Sequence, residues 1–181
     1  MTRKQLLLSF SLCAIFLSAC SPTETSNSGG NAAPDTSGQI QTTNEAPPAD
    51  VVRVDVPATE IKPGGAAEAT VKLTVASGYH INANPPSFSY LKATELTVEP
   101  GEGVTAGKPT YPSSVTRTFA FSKDPLAVYE GETAIKLPLA AATDAKKGAQ
   151  TLKGRLRIQA CDEEKCFPPR TMDAPIPVTV K

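Results

Sequence analysis

Two cysteines with four residues between them are the side chains whose type and spacing best suit chemistry in this chain. They lie in Ala160-Cys161-Asp162-Glu163-Glu164-Lys165-Cys166-Phe167-Pro168-Pro169. In an exported protein such a pair is able to form a disulfide. If Cys161 ends one strand and Cys166 begins the next, the bridge spans a hairpin mouth. Pro168 and Pro169 cannot donate ladder hydrogen bonds, so the chain should leave the sheet edge just after them. Two uses of the bond are open. As a staple, a loop of about six residues contributes roughly 2 kcal/mol in the chain-entropy view, well below a long loop. As a redox pair, it would open and close by thiol–disulfide exchange. Period-two alternation puts Cys161 on the polar face with Arg155, Arg157 and Gln159, away from Leu156 and Ile158. An accessible pair is therefore expected. Asp162, Glu163 and Glu164 disfavour a thiolate and only Lys165 and Arg170 oppose them, which predicts a modest thiol rather than an aggressive oxidant. No Cys-x-x-Cys opens a helix, so this is not a thioredoxin domain.

A second segment, Gly78-Tyr79-His80-Ile81-Asn82-Ala83-Asn84-Pro85-Pro86, carries the only histidine. One histidine excludes a metal cluster built on several. A copper or zinc site of two cysteines and one histidine is open only if His80 folds beside Cys161 and Cys166. A hydrogen-bonded structural histidine in a turn is the plainer role, and neither a resident metal nor a cofactor is expected. Asn82 to Pro86 reads as an extended loop, because residues before proline avoid the helical region. Tyr90 reads as filler of core or surface. No phosphate-binding glycine loop, catalytic carboxylate pair or nucleophile elbow is present.

The elements that must position these residues are strands. Ala69, Val71, Leu73 and Val75 alternate with Thr70, Lys72 and Thr74; Leu152, Leu156 and Ile158 share one face; Val115, Phe119 and Phe121 share another; Ile176, Val178 and Val180 repeat the pattern. Further candidates are Val51–Val56, Glu95–Val98, Leu126–Tyr129 and Ala134–Leu139. Seven or eight such strands, separated by turns such as Lys62-Pro63-Gly64-Gly65, predict an all-β, antiparallel immunoglobulin-like β-sandwich, with a closed barrel as competitor. The chain has no Trp, so the antibody Cys…Trp…Cys signature is missing.

The N-terminus assigns the compartment. Arg3 and Lys4 precede an apolar run from Leu6 to Ala19, which is a secretory signal and too short for a spanning helix of about 20 residues. Leu17-Ser18-Ala19-Cys20 resembles the bacterial lipobox. In that family the signal, here 1–19, is removed and the cysteine acylated, which leaves Cys161 and Cys166 as the domain's pair once Cys13 has gone. Ser21 after the cysteine favours the outer membrane by analogy with enteric bacteria. Residues 20–50 hold one large aliphatic side chain, Ile40, too little to offset ordering entropy. Residues 21–50 form a tether whose 30 residues reach about 30 Å by coil scaling. The folded domain is 51–181. Basic residues fall from 18 to 16 on loss of Arg3 and Lys4, against 18 acidic ones, so the mature net charge is −2. No basic patch invites nucleic acid.

The segments around Tyr79, Val128-Tyr129-Glu130-Gly131 and Gln159-Ala160-Cys161 through Cys166-Phe167-Pro168-Pro169 together resemble the N-terminal periplasmic domain of the thiol:disulfide interchange protein DsbD, over about Ala69 to Val180. The resemblance implies an immunoglobulin-like domain whose Cys161–Cys166 pair carries electrons. The donor would be a thioredoxin-like domain or a DsbD-type membrane carrier, and the acceptors periplasmic disulfide-containing proteins. Whether that makes the chain an enzyme in its own right is open, because it needs partner proteins. The spacing departs by one residue: four lie between the cysteines here and five in the best-known enteric member. In the family an aromatic-tipped loop caps the disulfide, which nominates Phe119 or Phe121, although both also fit core packing. Tyr79 and Asn82 lie where polar residues flank the family's disulfide, and His80 beside them is a further candidate for the surroundings of the pair. The chain has neither the membrane domain nor the thioredoxin domain of the full-length member, which implies an electron source on another protein and a lipid on Cys20 that keeps the domain near it. The alternative is an immunoglobulin-like binding or assembly lipoprotein with a purely structural disulfide.

Overall fold

The computed structural model describes residues 46–181. Cys20 and the segment 1–45 lie outside the described residues. Within them the chain forms fourteen short strands and no helix. In chain order these are β1 (Val52–Asp55), β2 (Thr59–Ile61), β3 (Ala66–Val75), β4 (His80–Asn82), β5 (Glu95–Val98), β6 (Val104–Ala106) and β7 (Val115–Arg117). There follow β8 (Leu126–Tyr129), β9 (Glu132–Ala141), β10 (Gly148–Leu152), β11 (Gly154–Ile158), β12 (Ala160–Cys161), β13 (Arg170–Asp173) and β14 (Ile176–Val180). They pair as β1-β3-β9-β6, β10-β14-β2, β13-β11-β5 and β12-β4-β8-β7. Every ladder is antiparallel except β14 with β2.

The predicted all-β, immunoglobulin-like class is the class observed. All eight predicted segments contain a strand. The further ones (β2, β4, β6, β10, β12 and β13) are two to five residues long.

Alternation builds the core. Ala69, Val71, Leu73 and Val75 on β3 face inward, as do Ile135, Leu137, Leu139 and Ala141 on β9. They join Leu156 and Ile158 of β11 and Ile176, Val178 and Val180 of β14 in one apolar cluster. Each fully buried Val, Leu or Ile contributes about 1.5–3 kcal/mol relative to exposure. β3 and β9 supply the longest ladder, from Ala66↔Ala140 to Thr74↔Glu132.

One predicted strand is corrected. Val115, Phe119 and Phe121 do not share a face, because β7 ends at Arg117 and all three of its residues are exposed. It is the edge of its sheet, and the chain turns at Ala120-Phe121. Phe119 instead reaches a small separate cluster with Leu91, Leu126 and Val128, against which Phe88 and Phe121 pack.

Candidate functional site

The cysteines close the hairpin that follows β12. Phe167 N–H donates to the Ala160 carbonyl and Asp162 N–H to the Lys165 carbonyl, each at 2.9 Å. Between these bonds Cys161 and Cys166 are directly opposed, the position at which side chains on an antiparallel pair come closest. They form a disulfide, with Cα atoms 3.9 Å apart. The turn is held by Asp162, whose Oδ1 accepts from Glu164 N–H at 2.9 Å and Lys165 N–H at 2.8 Å. Pro168 and Pro169 stand outside any ladder, which resumes at Arg170.

The expected exposure of Cys161 is overturned. Both cysteines are fully buried, and Gln159 is 4% exposed. The alternation fails because the strand changes partners. β11 pairs with β5 and β13 as far as Ile158, whereas β12 pairs with β4. At this transfer Ile158, Gln159, Ala160 and Cys161 are buried in succession. Neither cysteine belongs to the two apolar clusters.

Gln159 anchors the transfer. Its Oε1 accepts from Asn82 Nδ2 at 3.0 Å and Lys92 N–H at 2.9 Å, and its Nε2 donates to the Phe167 carbonyl at 3.2 Å. One buried amide thus ties β4, the loop after it and the segment following Cys166. Thr94 Oγ1 adds a bond to the Asn82 carbonyl at 2.7 Å. The alternation had put Gln159 on the polar face, and nothing in the sequence singled out Thr94. The signal for Gln159 was present: a lone polar residue between Ile158 and Ala160 beside a cysteine marks a strand covered on both faces.

The predicted neighbours fall as follows. His80 is the register partner of Cys161 and is 1% exposed. Asn82 is fully buried in the Gln159 network. Tyr79 is half-buried, its ring 6.3 Å from that of Phe167. Phe119 stacks on His80 with centroids 4.0 Å apart, and Phe121 lies 5.3 Å beyond Phe119. Tyr90 is surface, 53% exposed, stacked on Phe88. Among the described residues no group of three or more His, Cys, Asp or Glu side chains is placed to hold a metal. The thiols that the copper or zinc alternative needs are joined to one another.

Charge at the site is acidic. Glu130, at the end of β8, receives Arg117 through Nε at 3.0 Å and Nη2 at 2.7 Å. Glu130 and Glu163 line a shallow recess with Tyr79 and His80. Burial lowers the His80 pKa from 6.5 to about 4, although Glu130 and Asp162 pull the other way. A folded value below the unfolded one means that the unfolded chain binds the proton first. Stability is then complete above pH 6.5 and lost as pH falls towards 4. At 1.36 kcal/mol per unit the loss is about 3 kcal/mol by pH 4. Urea midpoints measured between pH 7 and 4 should show it, and His80→Gln should remove that part of the slope. An unaltered slope in the variant would place the acid sensitivity on carboxylates instead.

Among solved structures, the chain is similar to the DsbD N-terminal domain of Neisseria meningitidis in its reduced form, at 19% identity and a TM-score of 0.48, covering 72% of this chain and 87% of that one. It is also similar to the N-terminal periplasmic domain of ScsB from Proteus mirabilis, at 15% identity and a TM-score of 0.49, covering 69% of this chain and 44% of that one. A search of curated protein sequences finds no match. The family model described as thiol:disulfide interchange protein DsbD, N-terminal, matches residues 47–176. That span is most of the chain and holds both cysteines, Gln159 and His80. The chain therefore belongs to the family of the N-terminal domain of the thiol:disulfide interchange protein DsbD.

Proposed function

We propose that this protein is an electron carrier on the periplasmic side of a bacterial membrane, whose Cys161–Cys166 pair exchanges disulfides with a thioredoxin-like donor and with periplasmic disulfide-containing proteins. The lipid on Cys20 anchors it, in the outer membrane by the hint of Ser21, and residues 21–50 tether it. The observation that carries the reading is where the bond lies. It joins the two sides of one short turn in a domain whose large apolar cluster is built from other residues. A bond over six residues contributes only about 2 kcal/mol as a staple. Both sulfurs belong to one hairpin, so opening the bond leaves the long β3–β9 ladder untouched. The full burial of both cysteines favours the other reading, a binding or assembly lipoprotein with a passive clip.

Single-cysteine variants separate the two. Incubated with a thioredoxin-like protein, Cys166→Ala or Cys161→Ala should accumulate a mixed disulfide visible on non-reducing gels. The wild-type pair should equilibrate with that partner, thioredoxin itself having a potential of about −270 mV. A potential far below this value, with no mixed disulfide from either variant, would establish the passive clip. In the same preparation the full chain should fractionate with membranes, and Cys20→Ser should release it.

A further inference from the structure

The exchange reaction as proposed leaves His80 without a task. It stands opposite Cys161 in the ladder of β12 with β4. Opposed residues on an antiparallel pair project from one face with Cβ atoms about 4.5–5.5 Å apart. The imidazole is buried, and its Nε2 has neither solvent nor a hydrogen-bond partner among the described residues. Phe119 lies parallel to the ring at 4.0 Å and Phe121 is parallel at 6.5 Å, so the flanking side chains are apolar rings. A buried polar atom left unpaired costs about 1–3 kcal/mol. The orphan is accounted for if its partner exists only in another state of the site. Reduction of the disulfide creates such a state, because it places two thiols where no proton donor stood.

The surrounding charges sharpen the need. Among the described residues, Glu130 just after β8, Asp162 at the turn and Glu163 beside it are the carboxylates facing His80, and Tyr79 lines the same recess. The charged groups are thus acidic, and Glu130 is held by Arg117. Negative neighbours hold a thiol in its protonated form. His80 is the only histidine of the chain, and burial keeps it neutral and able to accept in the oxidised protein.

We propose that His80 is the proton acceptor of the cysteine pair, taking the proton of the attacking thiol and returning it to the departing one. The proposal rests on the exchange reading above. In the reduced protein one cysteine thiol passes its proton to Nε2, and the thiolate attacks a partner disulfide. A mixed disulfide forms, and the partner's released sulfur takes the proton back from the imidazolium. The second cysteine thiol then gives its proton to Nε2 and attacks the mixed disulfide. The Cys161–Cys166 bond re-forms, and the partner's second sulfur is protonated by His80. Two electrons and two protons pass to the partner, and His80 ends neutral.

A lone histidine can be followed directly by the ring-proton NMR signals of the folded chain, oxidised and after reduction with a dithiol. The titration midpoint of His80 should fall on reduction, because a thiol proton donated to Nε2 favours the neutral imidazole. In the reduced protein, His80→Gln should slow iodoacetamide alkylation at neutral pH at least about threefold while leaving its pH midpoint in place, because a neutral imidazole acts as a base and not as a counter-charge. It should slow attack on a small disulfide at neutral pH by a similar factor, because the attacking thiol loses its proton acceptor. Equal His80 midpoints in the two redox states, or an alkylation rate unchanged in His80→Gln, would overturn the proposal. If the variant does not fold, the wild-type titration decides alone. Failure of the wild-type pair to exchange with any dithiol partner would instead remove the parent reading.

Discussion

Phe119→Ala is expected to speed reduction of the Cys161–Cys166 bond by a small dithiol about 10- to 100-fold, in the proposed arrangement where the aromatic segment covers the site. Both cysteines are fully buried, so attack requires opening of whatever lies over them. Phe119 lies flat on His80, the residue opposite Cys161, and belongs to a four-residue cluster apart from the main core. Burying a phenylalanine contributes about 1.5–3 kcal/mol, and a ring pair adds about 0.5–1.5 kcal/mol. Withdrawing about 1.4–2.8 kcal/mol from the closed state raises the open population 10- to 100-fold, at a factor of ten per 1.4 kcal/mol. Phe119→Leu, which keeps apolar volume without the ring, should give a smaller acceleration. Phe121→Ala should change the rate by only a few-fold, because that ring is half-buried and 6.5 Å from His80. The measurement is pseudo-first-order reduction followed by thiol trapping, with urea midpoints to confirm folding. A Phe119→Ala rate equal to wild type would leave Phe119 as packing alone.

Gly154→Ala should cost about 4 kcal/mol or more, among the largest effects a single methyl can produce. Gly154 opens β11, opposite Val98 of β5, and its carbonyl accepts from Ala174 N–H at 2.9 Å. A Cβ there would penetrate the Ala174 carbonyl oxygen and stand 3.1 Å from its carbonyl carbon. Those are backbone atoms that no rotamer change can move aside. β11 leads directly into the cysteine hairpin, so the variant should lose both the denaturant midpoint and spontaneous formation of the disulfide. Gly131→Ala is the control. Its φ of 57° is left-handed but nothing lies within 4 Å of an added Cβ, so the cost should be only about 1–2 kcal/mol. Equal losses at the two positions would refute the steric argument at Gly154.

What the sequence by itself determined was set by local rules. Alternation over Ala69–Val75 and Ile176–Val180 reports which side of a long strand meets the core, because half-buried strands repeat every two residues. The cysteine pair and its hairpin were legible from a five-residue step and the prolines behind it. Family membership was legible from the same residues. Tertiary structure decided the rest, and for one physical reason. Where a strand passes from one sheet to another, both of its faces are covered, and a period-two rule has no solvent side to mark. That is why Gln159 and Cys161, which read as outward-facing, are buried, and why the amide of Gln159 links residues 77 positions apart. Phe119 stacks on His80 only because β7 and β4 both flank β8, a pairing that no local pattern announces.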